Sequence, residues 1–404
     1  MIKLASKDEC TGCMSCVNSC SIGAIKISRD GSNGFDYPEI EKDKCILCGK
    51  CMKSCPVLLY SPNYNVKKAD SLNIGELYAA VNINTNARLT ASSGGIFEIL
   101  SNYIISNGGV VFGAEFDEIF GVKHNYAESM DGVVRFKTSK YVQSYISKDI
   151  YKRCYDFCEN DRMVLFTGTS CQINGLYTYL KKDYSNLYTL DLICSGNTSP
   201  GLWKKYLDYR ENKQNSKICS VNFRDKTFGW DRFSLKISFL SGKKYIRILP
   251  NDEWAFFFLK HYAQRECCYS CKYKDIHHKS DFTLGDFWGV QLSYPELYDD
   301  KGLSFVLINS LKAKQLLDSD ELNSIWTKKI PIDMLEKHNT TIVKSPMKPK
   351  DRDRFYEDFS RMSFGELSKK YVKIPLWRKN NNLFDNYWRL RISLSRCYHK
   401  FFKR

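Results

Sequence analysis

Two cysteine-rich stretches near the N-terminus decide how this chain begins to fold. Residues 10–20 read CTGCMSCVNSC, and residues 45–56 read CILCGKCMKSCP. Each stretch places four cysteines at the spacing C-x2-C-x2-C-x3-C, and a proline follows the last cysteine of the second stretch. The chain has 17 cysteines in all. Cysteines so closely clustered are typical of metal ligands in a reducing compartment, where disulfides are rare.

The spacing indicates iron–sulfur clusters of the bacterial dicluster ferredoxin type. Structural zinc is the alternative, but zinc sites usually take paired C-x2-C knuckles rather than three cysteines in a row. In such modules the fourth cysteine of each run binds the cluster of the other run. We therefore predict a domain with two [4Fe–4S] clusters over residues 1–66. One cluster would be held by Cys10, Cys13, Cys16 and Cys55, and the other by Cys45, Cys48, Cys51 and Cys20.

The composition of the 404-residue chain is that of a globular protein. Hydrophobic residues make up 43% and charged residues 26%, which excludes global disorder and a collagen or coiled-coil architecture. The sequence contains no apolar run of about 18 residues and no secretory signal, so we expect a cytoplasmic protein. The formal net charge is +16, and much of this charge lies in residues 344–404, which contain 17 Lys and Arg against 6 Asp and Glu.

After a linker, alternating apolar patterns predict an α+β (mixed α/β) domain over residues 72–330. Its N-terminal part would end near residue 150 and its C-terminal part would cover 151–330. We predict strands over 74–83, 108–116, 164–168, 187–194, 221–226, 233–240 and 303–310. We predict helices over 95–108, 171–182 and 199–210.

A second set of cysteines belongs to this body. Cys171 begins a predicted helix, Cys194 ends a predicted strand, and Cys268 and Cys271 form a C-x2-C pair. A helix N-terminus favours the thiolate, and four converging thiolates would hold a third [4Fe–4S] cluster. The alternatives are a zinc site or buried cysteines that never meet. The neighbouring pair His277–His278 is interpreted as solvated surface, with a substrate role as the alternative.

The polar segment Thr90-Ala-Ser-Ser-Gly-Gly95 precedes the first helix of the body. Its amides and hydroxyls suit an anion at the helix N-terminus, and the alternative is an ordinary N-cap and turn. A G-x-G-x-x-G fingerprint and a Walker A loop are both absent from the sequence, which argues against a standard dinucleotide or nucleoside triphosphate site.

Seven segments of the body resemble one known family. They read SSGGIFEIL, GGVVFGAEFD, SKYVQS, VLFTGTSCQINGL, LDLICSG, FRDKTFGW and CCYSCKYKDIHHKSDFTLGDFWG. Together they are similar to the coenzyme F420 hydrogenase/dehydrogenase beta-subunit family over about residues 75–310, and an N-terminal dicluster ferredoxin is a common fusion there. The resemblance implies a bound FAD and an iron–sulfur cluster, with Cys171, Cys194, Cys268 and Cys271 at the positions of the cluster cysteines.

The resemblance also suggests where the flavin would bind. It implies contacts from Ser92, Ser93, Gly94 and Gly95, and from Lys140, Tyr141, Gln143, Gly168 and Thr169. Arg224 and Lys226 would supply positive charge to the FAD pyrophosphate or to an anionic acceptor. Two positions depart from the family pattern: Ser170 replaces the usual proline and Ser195 the usual histidine.

These parts predict an iron–sulfur flavoprotein oxidoreductase that exchanges electrons between ferredoxin-type clusters and FAD. The expected partners are a redox protein or ferredoxin and a small-molecule acceptor, which would be a deazaflavin or an intermediate such as a glycan precursor of surface-polysaccharide synthesis. The alternatives are a non-catalytic electron-transfer subunit of a larger oxidoreductase and an iron–sulfur redox sensor. The sequence identifies no proton donor, so the catalytic residues stay unknown.

The C-terminal tail, residues 331–404, is predicted to be helical and basic. Leu383, Tyr387, Leu390, Leu394 and Phe401 follow helical spacing, and most of the basic residues fall on another face. An amphipathic helix of this kind suits peripheral contact with an anionic membrane. The alternative is a helix packed on the body with a solvated basic face, and nucleic-acid binding is not expected.

Overall fold

The structure, a computed structural model, describes residues 2–60 and 75–402, and side chains as far as residue 394. The predicted boundary between the N-terminal domain and the body, at residues 66–72, lies outside the described residues. The predicted division of the body near residue 150 is not tested and stays a prediction.

The N-terminal module is a small unit built on two short helices and a hairpin. Its elements are α1 (Ser15–Asn18), β1 (Ile25–Arg29), β2 (Asp36–Ile40) and α2 (Lys50–Lys53). The strands β1 and β2 pair in antiparallel fashion. In each run, the C-x2-C-x2-C spacing turns the chain tightly, and the short helix begins before the third cysteine of the run.

The body is built around a mixed sheet of eight strands, in the order β13-β3-β12-β11-β7-β6-β4-β5. The four central strands β11, β7, β6 and β4 run parallel to one another, and antiparallel strands complete both edges. The strands of this sheet are β3 (Glu76–Asn82), β4 (Val110–Phe116), β5 (Val122–Ala127), β6 (Val164–Thr169), β7 (Leu187–Leu192), β11 (Phe282–Asp286), β12 (Ser304–Ile308) and β13 (Ile325–Ile330).

A smaller antiparallel sheet, in the order β10-β9-β8, packs beside the main sheet. Its strands are β8 (Ile218–Asp225), β9 (Ser234–Phe239) and β10 (Lys244–Ile248). Its core is aromatic, since Trp203 and Trp254 place their rings 4.8 Å and 5.0 Å from that of Phe223. All three side chains are at most 1% exposed, and such rings contribute large buried apolar areas.

Helices cover both faces of the main sheet and the outside of the small one. They are α3 (Thr85–Thr90), α4 (Ile96–Ser106), α5 (Met130–Val133), α6 (Ile150–Glu159), α7 (Ser170–Leu180), α8 (Pro200–Gln214), α9 (Glu253–Leu259), α10 (Val290–Ser293), α11 (Leu311–Asp318), α12 (Asp333–His338), α13 (Arg352–Arg361), α14 (Phe364–Tyr371) and α15 (Asn381–Phe402). Within the described residues, no helix is both long enough and apolar enough to cross a membrane.

Arg265 connects the N-terminal module to the body through hydrogen bonds. This side chain is completely buried, and its Nε donates to the carbonyl oxygen of Cys10 (2.6 Å) while Nη2 donates to that of Asp36 (3.1 Å). Its Nη1 donates to Gln143 Oε1 (2.9 Å), and Gln143 in turn donates to the carbonyl oxygen of Thr11 (2.9 Å). The module is therefore held by hydrogen bonds to its backbone.

The fold class and the predicted elements are confirmed. All seven predicted strands and all three predicted helices of the body coincide with observed elements. The sequence analysis missed β5, β10, β11 and β13, which are short or carry several polar residues. Strands of this kind are stabilised by their pairing with neighbours more than by their own pattern.

Candidate functional site

The four body cysteines converge at the carboxyl end of the parallel strands. The strands β6 and β7 are neighbours, with Thr169 beside Leu192, so the residues that follow these strands lie close together. Cys171 is at the start of α7, and Cys194 follows β7. The turn after α9 brings Cys268 and Cys271 to the same place. All four side chains line one small cavity, and the thiol of Cys171 interacts electrostatically with the other three.

Amides and a hydroxyl point at these sulfur atoms. The Gly196 amide donates to Cys194 Sγ (3.3 Å), and the Asn197 amide donates to Cys268 Sγ (3.4 Å). Thr169 Oγ1 lies 3.2 Å from Cys171 Sγ. Donors to sulfur stabilise the thiolate form, which is the form that binds iron. The chemistry of this donor set therefore fits a cluster.

Burial makes the free thiols reluctant to ionise. It raises the pKa of Cys271 to about 12 and that of Cys171 well above its usual value. The exception is Cys268, where a hydrogen bond from Cys267, together with the Asn197 amide and Arg265, lowers the pKa to about 7. Buried thiolates need a cationic partner, and an iron–sulfur core would supply one.

Seven of the eight N-terminal cysteines fall into two groups by their electrostatic interactions, and Cys45 is assigned to the second group by the sequence pattern. Cys16 interacts with Cys10, Cys13 and Cys55, which we name the inner cysteines together with it. Cys51 interacts with Cys20 and Cys48, and with Cys45 these form the outer cysteines. This is the grouping that the crossed pattern of the sequence predicts, and the binding of iron by these residues stays a prediction.

The two groups differ in their surroundings. Among the inner cysteines, Cys13, Cys16 and Cys55 are at most 9% exposed. Among the outer cysteines, Cys48 is exposed, and its neighbours Ile46 and Leu47 are 66% and 67% exposed. The outer group thus reaches the surface at Cys48, whereas its Cys51 is buried at 8% exposed.

The inner cysteines rest directly on α7. A Cβ atom at Gly175 would lie 2.9 Å from Cys13 Cβ and 3.0 Å from Cys13 Sγ, so only glycine leaves room for this approach. Tyr151 strengthens the contact, because its hydroxyl lies 2.9 Å from the carbonyl oxygen of Cys13 and 3.0 Å from that of Gln172. Gly175 is one helical turn after Cys171. The inner and body sites are thus supported by the same short helix.

Among the described residues, no group of three or more His, Cys, Asp or Glu side chains is arranged to hold a single metal ion. A cubane cluster has a different requirement, because its four irons are at separate corners and its thiolates are spread around it.

A large cavity of about 570 Å³ lies beside the body cysteines. Its volume is in the range of small-molecule and cofactor sites. Thr169, Ile193, Cys194, Gly196, Asn197 and Thr341 line both this cavity and the small one that contains the cysteines. A molecule bound in the large cavity would therefore lie against Cys194 and close to the other body cysteines.

Seven of the eleven residues predicted to contact a flavin line the large cavity. They are Ser92, Ser93, Gly95, Lys140, Tyr141, Gly168 and Thr169. They come from the loop before α4, from the segment after α5 and from the end of β6. The structure thus brings together three sequence segments that are up to 77 positions apart, from Ser92 to Thr169.

The other four predicted contacts are not among the described residues that line the cavity. At Gly94, a Cβ atom would collide with the carbonyl oxygen of Ala80, so this glycine serves close backbone packing. Gln143 bonds the N-terminal module, as described above. These two residues shape the surroundings of the cavity instead of its wall.

The two cations predicted to contact the flavin, Arg224 and Lys226, already bond other groups of the protein. Arg224 forms two hydrogen bonds with Asp286 (2.9 and 2.7 Å) and donates to the carbonyl oxygen of Ser92 (2.5 Å). Lys226 donates to the carbonyl oxygens of Lys301 (2.6 Å) and Arg88 (2.8 Å). Their bonds hold the loop before α4 in position, so their charges act on the cavity from behind its wall.

Lys140 and His124, in the cavity wall, have strongly shifted pKa values. Burial lowers the pKa of Lys140 to about 7, and the attraction of Glu115 opposes this shift. Burial also lowers the pKa of His124 to about 4, so this imidazole is neutral at pH 7. Its Nε2 lies 3.0 Å from the carbonyl oxygen of Thr167, and its buried Nδ1 has no hydrogen-bond partner in the described part of the chain. Such a nitrogen is suited to bonding a polar ligand.

The prediction that His278 lies on the solvated surface is wrong. His277 is exposed, whereas the His278 side chain is only 4% exposed and lines the cavity of the body cysteines. Its Nδ1 lies 2.5 Å from Asp191 Oδ2. Burial acts to lower the pKa of His278, but Asp191 outweighs this effect and raises it. The sequence analysis also missed His124 and Tyr273, and the alternation of β5 (Val122, His124, Tyr126) is the one local signal for His124.

Comparisons with known proteins identify two kinds of similar domain in this chain. Residues 161–332 match the family described as the C terminus of the beta subunit of coenzyme F420 hydrogenase/dehydrogenase. Two 4Fe-4S dicluster domain families match residues 9–58 and 37–93. No curated protein sequence matches the chain.

One similar solved structure is a xenon derivative of the F420-reducing [NiFe] hydrogenase complex from Methanosarcina barkeri. It is 17% identical, with a TM-score of 0.45, and the match covers 69% of this chain and 89% of that chain. The family matches, and not this structural likeness, carry the assignment. Residues 161–332 therefore match the coenzyme F420 hydrogenase/dehydrogenase beta-subunit family and the N-terminal residues match a 4Fe-4S dicluster domain, and these matches indicate an iron–sulfur oxidoreductase or electron-transfer subunit.

Proposed function

We propose that this chain is an iron–sulfur flavoprotein oxidoreductase with three [4Fe–4S] clusters and one FAD. The observation that carries the proposal is the shared wall between the cavity of the body cysteines and the large cavity beside it. Four thiols that line one small cavity suit a cluster, and a neighbouring cavity of about 570 Å³ suits a cofactor. Sites that share wall residues, Cys194 among them, allow electrons to pass between them.

The arrangement supports a linear order of redox sites. The outer cysteines are at the surface, the inner cysteines contact α7, and the body cysteines begin the same helix and border the large cavity. Electrons from a donor would reach the outer site first and the large cavity last, or travel the same route in reverse. The protein keeps the sites close together and excludes water from the inner ones.

FAD would be held by Ser92, Ser93 and Gly95 at the start of α4 and by the backbone of Gly168 and Thr169. When bound, FAD exchanges a hydride with one partner and single electrons with another, which matches clusters that carry one electron each. Lys140 and His124 are the groups of this chain that can hold or move a proton in the cavity.

We infer that the acceptor or donor at the cavity is a small molecule. The family resemblance supports a deazaflavin, and the alternative is an unsaturated intermediate such as a glycan precursor of surface-polysaccharide synthesis. Reduction of a deazaflavin by the dithionite-reduced protein, followed by absorbance, separates the two acceptors. A deazaflavin that stays oxidised while free flavin is reduced would exclude the first.

The test of the proposal is the cofactor content of protein purified without oxygen. We expect about twelve irons, about twelve acid-labile sulfides and one FAD per chain. Cys194→Ala should lower the iron content to about eight, whereas Cys219→Ala, at an exposed cysteine outside the three sets, should leave it unchanged. About eight irons and no flavin in the unmodified protein would refute the proposal.

One observation favours a second function, that of an electron-transfer subunit in a larger complex. Ile46 and Leu47 are 66% and 67% exposed next to the exposed Cys48, and an apolar exposed edge beside a redox site suits docking of another protein. Co-purification with a large oxidoreductase, together with no reduction of any small acceptor, would support this function over the first.

We also propose that α15 contacts the surface of an anionic membrane. Leu383, Tyr387, Leu390 and Leu394 are 47–62% exposed and form one stripe along the helix. The predicted Phe401 lies beyond the described side chains. The start of the helix is fixed to the body, because Asp385 pairs with Arg232 and Phe384 is 5% exposed. The apolar stripe therefore points away from the body, and Arg389 and Arg391 lie beside it.

Co-sedimentation with vesicles tests this membrane contact. We expect binding to vesicles that contain phosphatidylglycerol, weaker binding to pure phosphatidylcholine, and release by high salt. Leu390→Glu with Leu394→Glu should abolish binding without changing the iron content. Equal recovery of the variant and the unmodified protein with the vesicles would refute the contact.

A further inference from the structure

Tyr273 is close to cysteines of both the inner set and the body set. Its phenol interacts electrostatically with Cys13 and Cys55 of the inner set and with Cys171 and Cys271 of the body set. The residue is 7% exposed, and it lines the small cavity that contains the body cysteines. Tyr273 is thus close to two of the three proposed cluster sites.

The hydroxyl of Tyr273 is buried and has no hydrogen-bond partner among the described residues. Buried tyrosine hydroxyls are nearly always bonded, because leaving the group without a partner costs about 1–3 kcal/mol. Two other buried tyrosines nearby follow this rule: Tyr151 bonds two carbonyl oxygens, and Tyr177 bonds Thr189. The buried hydroxyls of Tyr273 and Tyr356 have no such partner among the described residues, and of these two residues Tyr273 lines the cavity of the body cysteines.

That cavity contains several sulfur atoms. The side chains that line it with Tyr273 include the four body cysteines. A phenol hydroxyl can donate to a negatively charged sulfur atom. Lys274 in this wall donates to the carbonyl oxygens of Cys194 and Thr341. His278 bonds Asp191 through Nδ1, and its Nε2, like the Tyr273 hydroxyl, has no partner among the described residues.

We propose that the Tyr273 hydroxyl donates a hydrogen bond to a sulfur atom of the body cluster and makes that cluster easier to reduce. The inference rests on the proposed function, because it requires a cluster at the body cysteines. Reduction adds one electron and one negative charge to the cluster, and a hydrogen bond to its sulfur stabilises the added charge. The hydroxyl would therefore raise the reduction potential of the site that receives electrons from the inner cluster.

Tyr273→Phe is the test, since it removes the hydroxyl and keeps the ring. The readout is a reductive titration of the anaerobic protein, followed by electron paramagnetic resonance, and the body-cluster signal is the one lost in Cys194→Ala. We expect the potential of that signal to become more negative in Tyr273→Phe, with iron content and the other two potentials unchanged. Tyr177→Phe is the matched control, because it removes a buried hydroxyl that bonds Thr189, and it should leave all three potentials unchanged.

Three results would overturn the inference. An unchanged body-cluster potential would mean that the hydroxyl bonds water instead of sulfur. A shift of an N-terminal cluster alone would mean that the hydroxyl bonds the inner site. A shift of equal size in Tyr177→Phe would mean that loss of packing, and not the hydrogen bond, changes the potential. Failure of the proposed function is distinguishable, because the unmodified protein would then contain about eight irons and show no third signal.

Discussion

The inner and outer cysteines share one spacing but have different surroundings. Inner Cys13 is 7% exposed and rests on the bare backbone of Gly175, whereas outer Cys48 is exposed beside Ile46 and Leu47. The repeated motif is thus sufficient to define two similar sites. Their different positions, one against the body and one at the surface, come from what each site packs against, and the relay that we propose uses this difference.

From this difference we expect that iron binding at the inner cysteines depends on α7 and that iron binding at the outer cysteines does not. In Gly175→Val, the new Cβ would lie 2.9 Å from Cys13 Cβ and 3.0 Å from Tyr151 Oη. We expect loss of the inner cluster, seen as about eight instead of about twelve irons per chain, because the cysteine must move off the helix. Gly31→Val is the control, since nothing lies within 4 Å of a Cβ there. Full iron content in Gly175→Val would show that iron binding at the inner cysteines does not depend on α7.

Because Cys48 and its neighbours are exposed, we also expect a donor protein to dock at the outer site. Lys44 and Lys50 are exposed beside the outer cysteines. Their replacement by glutamate should slow reduction by a small acidic one-electron donor about tenfold at low salt, and high salt should remove the difference. Stopped-flow absorbance of the clusters measures the rate. Glutamate at Lys243 and Lys244, exposed on the small sheet, should have little effect, and an equal effect there would point to net charge instead of docking.

The smallest expected effect is on the affinity of the large cavity for FAD. Lys140 has a pKa lowered to about 7 by burial, so its ammonium is charged below pH 7 and neutral above it. Because a cation attracts the FAD pyrophosphate, the affinity for FAD should fall a few-fold between about pH 6 and pH 8. Flavin fluorescence during rebinding to flavin-depleted protein measures this affinity.

Lys140→Met should remove this pH dependence. Lys137→Met, which breaks the 2.6 Å ion pair with Glu98 in the same wall, should leave it in place. An affinity that varies equally with pH in Lys140→Met would show that another group controls flavin binding.

The sequence by itself determined the local features of this protein. The spacing of Cys10–Cys20 and Cys45–Cys55 predicts two sites, because the ligands of each run are within a few residues and the backbone between them has few conformations. The alternation of apolar residues predicted the central strands for the same reason, since a period of about two or 3.6 residues is a local property.

Only the tertiary structure decided how these features meet. The backbone carbonyl of Cys10 bonds Arg265, 255 positions away, and this contact turns the inner cysteines toward the body. The burial of His278 against Asp191, the use of Arg224 and Lys226 behind the cavity wall, and the place of Tyr273 close to two cysteine sets depend on similar long-range contacts. No local pattern reports such contacts, because each arises from the packing of the N-terminal module against a sheet whose neighbouring strands are far apart in the chain.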